Sequence, residues 1–265
     1  MADKVFAPDT AMNDKGWYLF PRDVEFRRQY FTEESMKHPA RANLWLVKAI
    51  IEYVSEPGET LLDIMSGSGS LLIGTLFNRN VVLIEIEEPY QNLIYSNIAY
   101  MNSIVPGVED KAMLIPGDAN LVLPLTDIDH IIFSPPYAQI MRMSNPTGIQ
   151  KEQYGDEGAI YQQSEGNVGR LNTWLYNQQM EKIYIKCFQT LKPGGTMTVI
   201  IKDFIKDQKR QFISNWVEKV CLRAGFEMKD WFKWDAPGTF FHSMRKARGE
   251  NVVDEEEIII LRKPL

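Results

Sequence analysis

The run DIDHIIFSPPYAQ, residues 127–139, is apolar up to Phe133 and then presents Ser134, Pro135, Pro136 and Tyr137. Proline cannot donate to a sheet ladder, so the two prolines end a strand and stiffen the backbone beyond it. That explains a loop, but not why a hydroxyl and a phenol flank it. A second stretch, DIMSGSGS (63–70), offers Gly67 and Gly69. Glycines there let a backbone turn tightly and approach a ligand that side chains would block. The stretch is only loosely a dinucleotide fingerprint, because Leu72 stands where a third glycine belongs. A lone Gly-x-Gly is a weak signal, and an ordinary strand-to-helix turn is its commoner reading.

Three acids follow three apolar runs: Asp63 after TLL, Glu85 after VVLI and Asp118 after AMLIPG. An acid after the second strand of an α/β unit suits a ribose diol, whose two hydroxyls can donate to one carboxylate. Asp118 is placed to accept from an adenine amino group. Each acid taken alone reads as a helix N-cap or a solvated turn residue. Three at successive strand ends, with SPPY after a fourth, describe one crevice at the carboxyl edge of an open sheet.

The elements that must hold such a crevice follow from periodicity. RANLWLVKAIIEYV places Leu44, Val47, Ile51 and Val54 at helical spacing. Buried strands are predicted at TLLDI, VVLIEI, AMLIPGDA, DHIIFS and TMTVII. Helices are predicted over GTLFNRN, from Pro89 to Asn102, around 172–191 and over FISNWVEKVCLRAGF, with LKPGG as a glycine-rich helix stop. EMKDWFKW and EEEIIILRK are expected to close the sheet as an antiparallel pair. Strands alternating with helices argue for a doubly wound α/β sheet. Residues 138–171 are polar and rich in Gly and Gln, a length of loop that is uncommon unless functional, and they form the natural substrate-facing insertion. Residues 1–36 are aromatic and mixed in charge without a clear period, and are expected to lie as an arm over a domain spanning 37–265.

The chain has 265 residues, 45% apolar and 24% charged, enough to bury one sizeable core. Cys187 and Cys221 lie far apart without metal-type spacing, so neither a disulfide framework nor a metal site is expected. MADKVFAPDT lacks a signal-peptide apolar segment, and no run approaches the ~20 residues of a membrane span, which points to the cytoplasm. A net charge of −6 counts against nonspecific coating of nucleic acid, although phosphate binding depends on where cations sit. KDFIKDQKR (202–210) and HSMRKARG (242–249) are two cation clusters, each equally readable as solvated loop charge. In WFKWDAPGTFFHSMRKARG (231–249) aromatics interleave with cations. The segment either grips phosphates beside a displaced base or is a hairpin whose rings fill the core.

In this order, DIMSGSGS, IEIEEPY, GDAN and FSPPY resemble the S-adenosylmethionine-dependent amino-methyltransferases that act on DNA, most of all those that target cytosine. KHPARANLWLVKAI (37–50) is similar to that family's His-Pro-Ala segment, and LKPGG and DEEEIIILRK to its tail. The likeness runs from residue 37 to the end and leaves the arm and the 138–171 insertion poorly matched. It implies a Rossmann-like seven-stranded methyltransferase sheet and S-adenosylmethionine as cofactor, with no metal. It further implies cofactor contacts at His38, Pro39 and Ala40, at Asp63, Ser66, Gly67, Ser68, Gly69 and Ser70, and at Glu85, Ile86, Asp118 and Ala119. Ser66 and Ser70 replace residues that are often larger or threonine-like in relatives.

The resemblance gives the loop after the fourth strand a chemistry. An exocyclic amine of cytosine or adenine is a poor nucleophile, because its lone pair is delocalised into the ring. Acceptors outside the ring plane for both its N–H groups would favour a more tetrahedral nitrogen. Ser134 Oγ and the Pro135 carbonyl offer two, preorganised by the prolines, Pro136 included. Tyr137 offers a flat face for an extruded base. The expected reaction is methylation of cytosine N4 in DNA after base flipping, with Arg245, Lys246 and Arg248 on phosphates. Adenine N6 is the nearest alternative, and the serine heading the tetrapeptide leans toward cytosine. Transfer-RNA guanine methyltransferases use similar Pro-Pro-Tyr loops, but they generally carry a separate RNA-binding domain, for which the arm is too short. An inactive binding subunit is the third alternative, opposed by the intact SPPY and glycine loop. Neither cysteine follows a proline, as the nucleophile of carbon-5 cytosine enzymes does, so no thiolate intermediate is expected.

Overall fold

The computed structural model of this protein describes residues 4–37, 41–136, 164–206, 208–236 and 240–265. The strands are β1 (Thr60–Asp63), β2 (Asn80–Glu85), β3 (Ala112–Pro116), β4 (Ile128–Phe133), β5 (Leu191–Ile201), β6 (Phe204–Lys206), β7 (Lys209–Gln211), β8 (Glu227–Asp235) and β9 (Glu255–Arg262). Seven of them make one sheet in the order β3-β2-β1-β4-β5-β9-β8, while β6 and β7 pair as a separate hairpin. β1 to β5 are parallel. β9 runs antiparallel between β5 and β8, as the closing pair requires. Chain progression reverses at β1 and β4, and a crevice opens at such a switch point outside the carboxyl ends of the strands.

Alternation along each strand feeds two cores, one on each face. Leu61, Ile132, Ile258 and Ile260 face one; Leu62, Ile131, Phe133, Ile259 and Leu261 face the other. Helices α2 (Leu44–Val54) and α3 (Glu88–Ile104) cover the first face, with α1 (Val24–Tyr30) against α3. The short α4 (Ala119–Val122), α5 (Thr173–Thr190) and α6 (Ile213–Arg223) cover the second, which contains both buried cysteines, Cys187 and Cys221. α7 (Phe240–Ala247) lies between β8 and β9 in sequence. Asn43 starts α2 by accepting from the Trp45 and Leu46 amides at 2.9 and 3.2 Å. Among the described residues no helix is long and apolar enough to cross a membrane.

Several boundaries differ from expectation. The helix expected over GTLFNRN is a 3₁₀ segment, Ser70–Phe77, that starts four residues earlier. Gly69 at φ 76° turns the chain directly into it, and Asn78 at φ 60° ends it. β5 begins at Leu191, so LKPGG belongs to the strand, with a register shift against β4. The 231–249 segment is no hairpin: its first part is β8, whose Phe232 and Trp234 pack into the first core, and its second part is the helix α7.

The arm also differs. Phe6, Tyr18, Phe20 and Phe31 are buried members of the first core, so residues 4–36 are built into the fold rather than laid over it. Phe6 stacks on Phe232 at 4.3 Å and meets Tyr18 and Tyr53 edge-on. The Tyr18 amide donates to the Lys233 carbonyl at 2.8 Å and the Asp235 amide to the Tyr18 carbonyl at 3.0 Å, which continues the sheet beyond β8. The aromatic spacing shows no period because these rings fill a sheet edge, not a helix face.

Candidate active site

Two adjoining clefts open at the switch point, and Met65, Gly67, Ser134 and Pro136 line both. The first, about 550 Å³ of open space, is bordered by Glu85, Ile86, Asp118 and Ala119. The second, about 960 Å³, is bordered by Asp63, Ser66, Ser68, Ser70 and Pro135. The predicted residues from four strand ends therefore meet. Gly69, which lines neither cleft, lies behind the turn, where a Cβ would come within 3.2 Å of Ile94 and Leu72. His38, Pro39, Ala40 and Tyr137 lie outside the described residues, as does most of the 138–171 insertion.

The glycine turn is fastened from the front by its own strand ends. The Gly67 amide donates to Glu85 Oε2 at 2.6 Å and the Glu87 amide to Glu85 Oε1 at 2.9 Å. Gly67 itself adopts φ 50°, open to glycine at little cost. Ser66 Oγ donates to the Ile84 and Asp63 carbonyls at 3.0 and 3.1 Å, so that hydroxyl braces the turn. Burial pushes the Asp63 carboxyl up to about 7, with the Met65 amide opposing and Glu85 adding to the shift. Burial likewise raises Glu85 to about 7, against the Glu87 and Gly67 amides that stabilise its charged form. Asp118 accepts from the Asn120 amide at 2.8 Å as the N-cap of α4.

From behind, the arm holds the same turn. Arg27 is fully buried, and its guanidinium reaches Asp23 Oδ2 at 2.9 Å, the Ala42 carbonyl at 2.7 Å and Ser70 Oγ at 3.3 Å. Asn97, also fully buried, donates to the Ser68 carbonyl at 3.0 Å. Its Oδ1 accepts from the Thr32 amide and from the Thr32 and Ser35 hydroxyls at 2.8–3.1 Å. Sequence reasoning missed both residues, because the bonds that tie them to the glycine turn span 43 residues for Arg27 and 29 for Asn97, and Asn97 reaches Thr32 across 65.

It also missed Arg41 and Glu256 on the second cleft and Glu87, Tyr90, Gly166, Asn167 and Val168 on the first. Arg41 directly follows the His-Pro-Ala segment, and that adjacency is the one signal pointing to it. Glu256 sits between Glu255 and Glu257, which turn the other way to Arg210 at 2.8 and 3.3 Å. That pairing commits Arg210 of the 202–210 cluster, a half-buried side chain, to carboxylates of its own fold. Of the second cluster, Arg245 pairs with Glu250 and Lys246 with Asp254, each at 2.9 Å, while Arg248 is exposed.

The donor set fits S-adenosylmethionine. Among the described residues Asp63, Glu85 and Asp118 form no ion pair. Asp63 and Glu85 are buried and Asp118 half-buried, and carboxylates so placed without cations favour hydroxyl, amino or ammonium donors brought by a ligand.

Comparison with known proteins agrees. Residues 128–264 match the N6/N4 family described as DNA methylase. The fold is similar to that of a methyltransferase from Pyrococcus furiosus, at 18% identity over 84% of each chain with a TM-score of 0.51. An S-adenosylmethionine-dependent methyltransferase from Methanosarcina mazei is 14% identical over 82% of this chain and 97% of its own, with a TM-score of 0.51. TrmN from Thermus thermophilus is 15% identical over 86% of this chain, with a TM-score of 0.50, and this chain spans only 52% of its length. Match, sheet order and clefts agree: the chain belongs to the N6/N4 DNA methylase family of S-adenosylmethionine-dependent amino-methyltransferases.

Proposed function

We propose that this protein methylates the N4 amine of cytosine in DNA, taking the base out of the helical stack to do so. The observation that carries this reading is the shared border: Ser134 and Pro136 line both clefts, so the turn after β4 faces both parts of the cofactor site. Glu85 and Asp118 would hold the adenosine end in the first cleft, and Asp63 and the glycine turn the amino-acid end in the second. When bound, the cofactor supplies an activated methyl group on a sulfonium.

The protein's part is alignment and acceptance. Ser134 Oγ and the Pro135 carbonyl take the two N–H groups of the amine and draw its lone pair out of conjugation. Holding the nitrogen in line with the methyl carbon supplies much of the rate. Ser134 is exposed, so solvent beside it takes up the proton that the methylated nitrogen sheds. Tyr137 would stack on the extruded base, the 138–171 insertion would read the sequence around it, and Arg248, with Arg245 and Lys246, would touch phosphates.

Incubation with radiolabelled cofactor and DNA or RNA, followed by digestion to nucleosides and mass analysis, tests this. N4-methylcytosine in DNA is the expected product. N6-methyladenine moves the target to adenine, label in RNA alone overturns the DNA reading, and cofactor binding without any transfer indicates a binding subunit. Ser134→Ala is expected to lower transfer by about 10²–10³-fold and to leave cofactor affinity unchanged. Equal loss of both would mean that the turn is merely structural.

A further inference from the structure

Glu87 follows β2 and is 2% exposed. Its side chain makes no capping bond to α3, although it stands at that helix's N-cap. It turns instead to the limb that begins after residue 163. The Ser164 amide donates to both its oxygens at 3.2 and 3.3 Å, Ser164 Oγ donates to Oε2 at 3.0 Å, and Asn167 Nδ2 donates to Oε1 at 2.7 Å. A buried carboxylate demands donors, so the limb is held wherever Glu87 is held.

The consequence falls on Gly166, midway along the limb. A Cβ there would stand 2.7 Å from Asp118 Oδ2 and 3.0 Å from the Ile86 side chain. Backbone thus closes on the carboxylate that faces the first cleft, and Gly166, Asn167 and Val168 form part of that cleft's wall together with Ile86 and Ala119. We infer that Glu87 is a positioning residue for the purine end of the cofactor: through Ser164 and Asn167 it sets the limb against Asp118, leaving a slot for a flat base with an exocyclic amine. This rests on the reading that the first cleft takes the adenosine.

The test is calorimetric titration of the full chain with S-adenosylhomocysteine and with S-inosylhomocysteine, which carries an oxo group where the amine was. The unaltered protein is expected to prefer the amine form, by about tenfold for one hydrogen bond. Glu87→Gln, Asn167→Ala and Gly166→Ala are each expected to weaken binding of the amine form by about tenfold and to shrink that preference toward one. A merely destabilised fold lowers both affinities and keeps their ratio. Should Glu87→Gln fail to fold, Ser164→Ala and Asn167→Ala carry the same expectation. Wild-type affinity and ratio in these variants, with losses in Glu85→Gln and Asp118→Asn, would overturn the inference and spare the adenosine reading. No loss in Glu85→Gln and Asp118→Asn would overturn the adenosine reading itself.

Discussion

Asp63 and Glu85 enter the crevice as acids whose folded pKa values, both about 7, lie well above their ordinary 3.8 and 4.5. The folded chain without ligand therefore holds more protons than the unfolded chain between roughly pH 4 and 7. Their contribution to stability is full at the acid end of that window and is lost as pH rises through 7. Cofactor binding runs the other way, because ribose hydroxyls and an ammonium need the charged carboxylate. Affinity for S-adenosylhomocysteine is expected to tighten from pH 5.5 to 8, by up to about tenfold per unit for each group below its pKa. Titration across that range checks it, and Glu85→Gln should flatten the curve. These acids were legible in the sequence, since each ends an apolar run. Glu87 was not, because EIEEP offers two acids beyond Glu85, and only donors 77 and 80 residues away show that Glu87 rather than Glu88 turns inward.

The glycine turn shows at the level of elements what local pattern leaves out. The inner parts of strands β1 to β5 could be read from their apolar runs, since a strand segment covered on both faces is largely apolar, while the LKPGG start of β5 could not. The 3₁₀ segment could not, because Gly69 and Asn78 set its limits through backbone conformation while GTLFNRN looks helical further along. Nothing local announces the brace behind the turn either. Asn97→Ala is expected to leave the Ser68 carbonyl and the Thr32 amide without partners, destabilising the fold by about 2–3 kcal/mol. Because the Ser68 carbonyl belongs to the turn, cofactor affinity should fall as well. Urea unfolding and calorimetry on the same variant separate the two effects, and unchanged affinity would show that the front bonds from Glu85 suffice. The helix in 231–249 escaped prediction for another reason: its aromatics and cations fit a hairpin pattern as well as a helical one.

For the molecule as a whole, the arm is the main revision. Phe6 sits among Tyr18, Phe20, Tyr53 and Phe232 with ring centroids 4.3–6.5 Å apart. Phe6→Ala is expected to cost about 3–5 kcal/mol, the range for removing a buried aromatic ring. A thermal midpoint within a degree of the parent's would show the arm to be an appendage after all. The packing also sets an order of events during synthesis. Asn13 bonds Asp235 across 222 residues, and Phe6 needs Phe232. At about 5–20 residues per second, the rings near the amino end wait roughly 10–45 s before their seat has been translated. A nascent chain carries these aromatics unpartnered throughout that interval, a consequence of seating its earliest rings on its late strand β8.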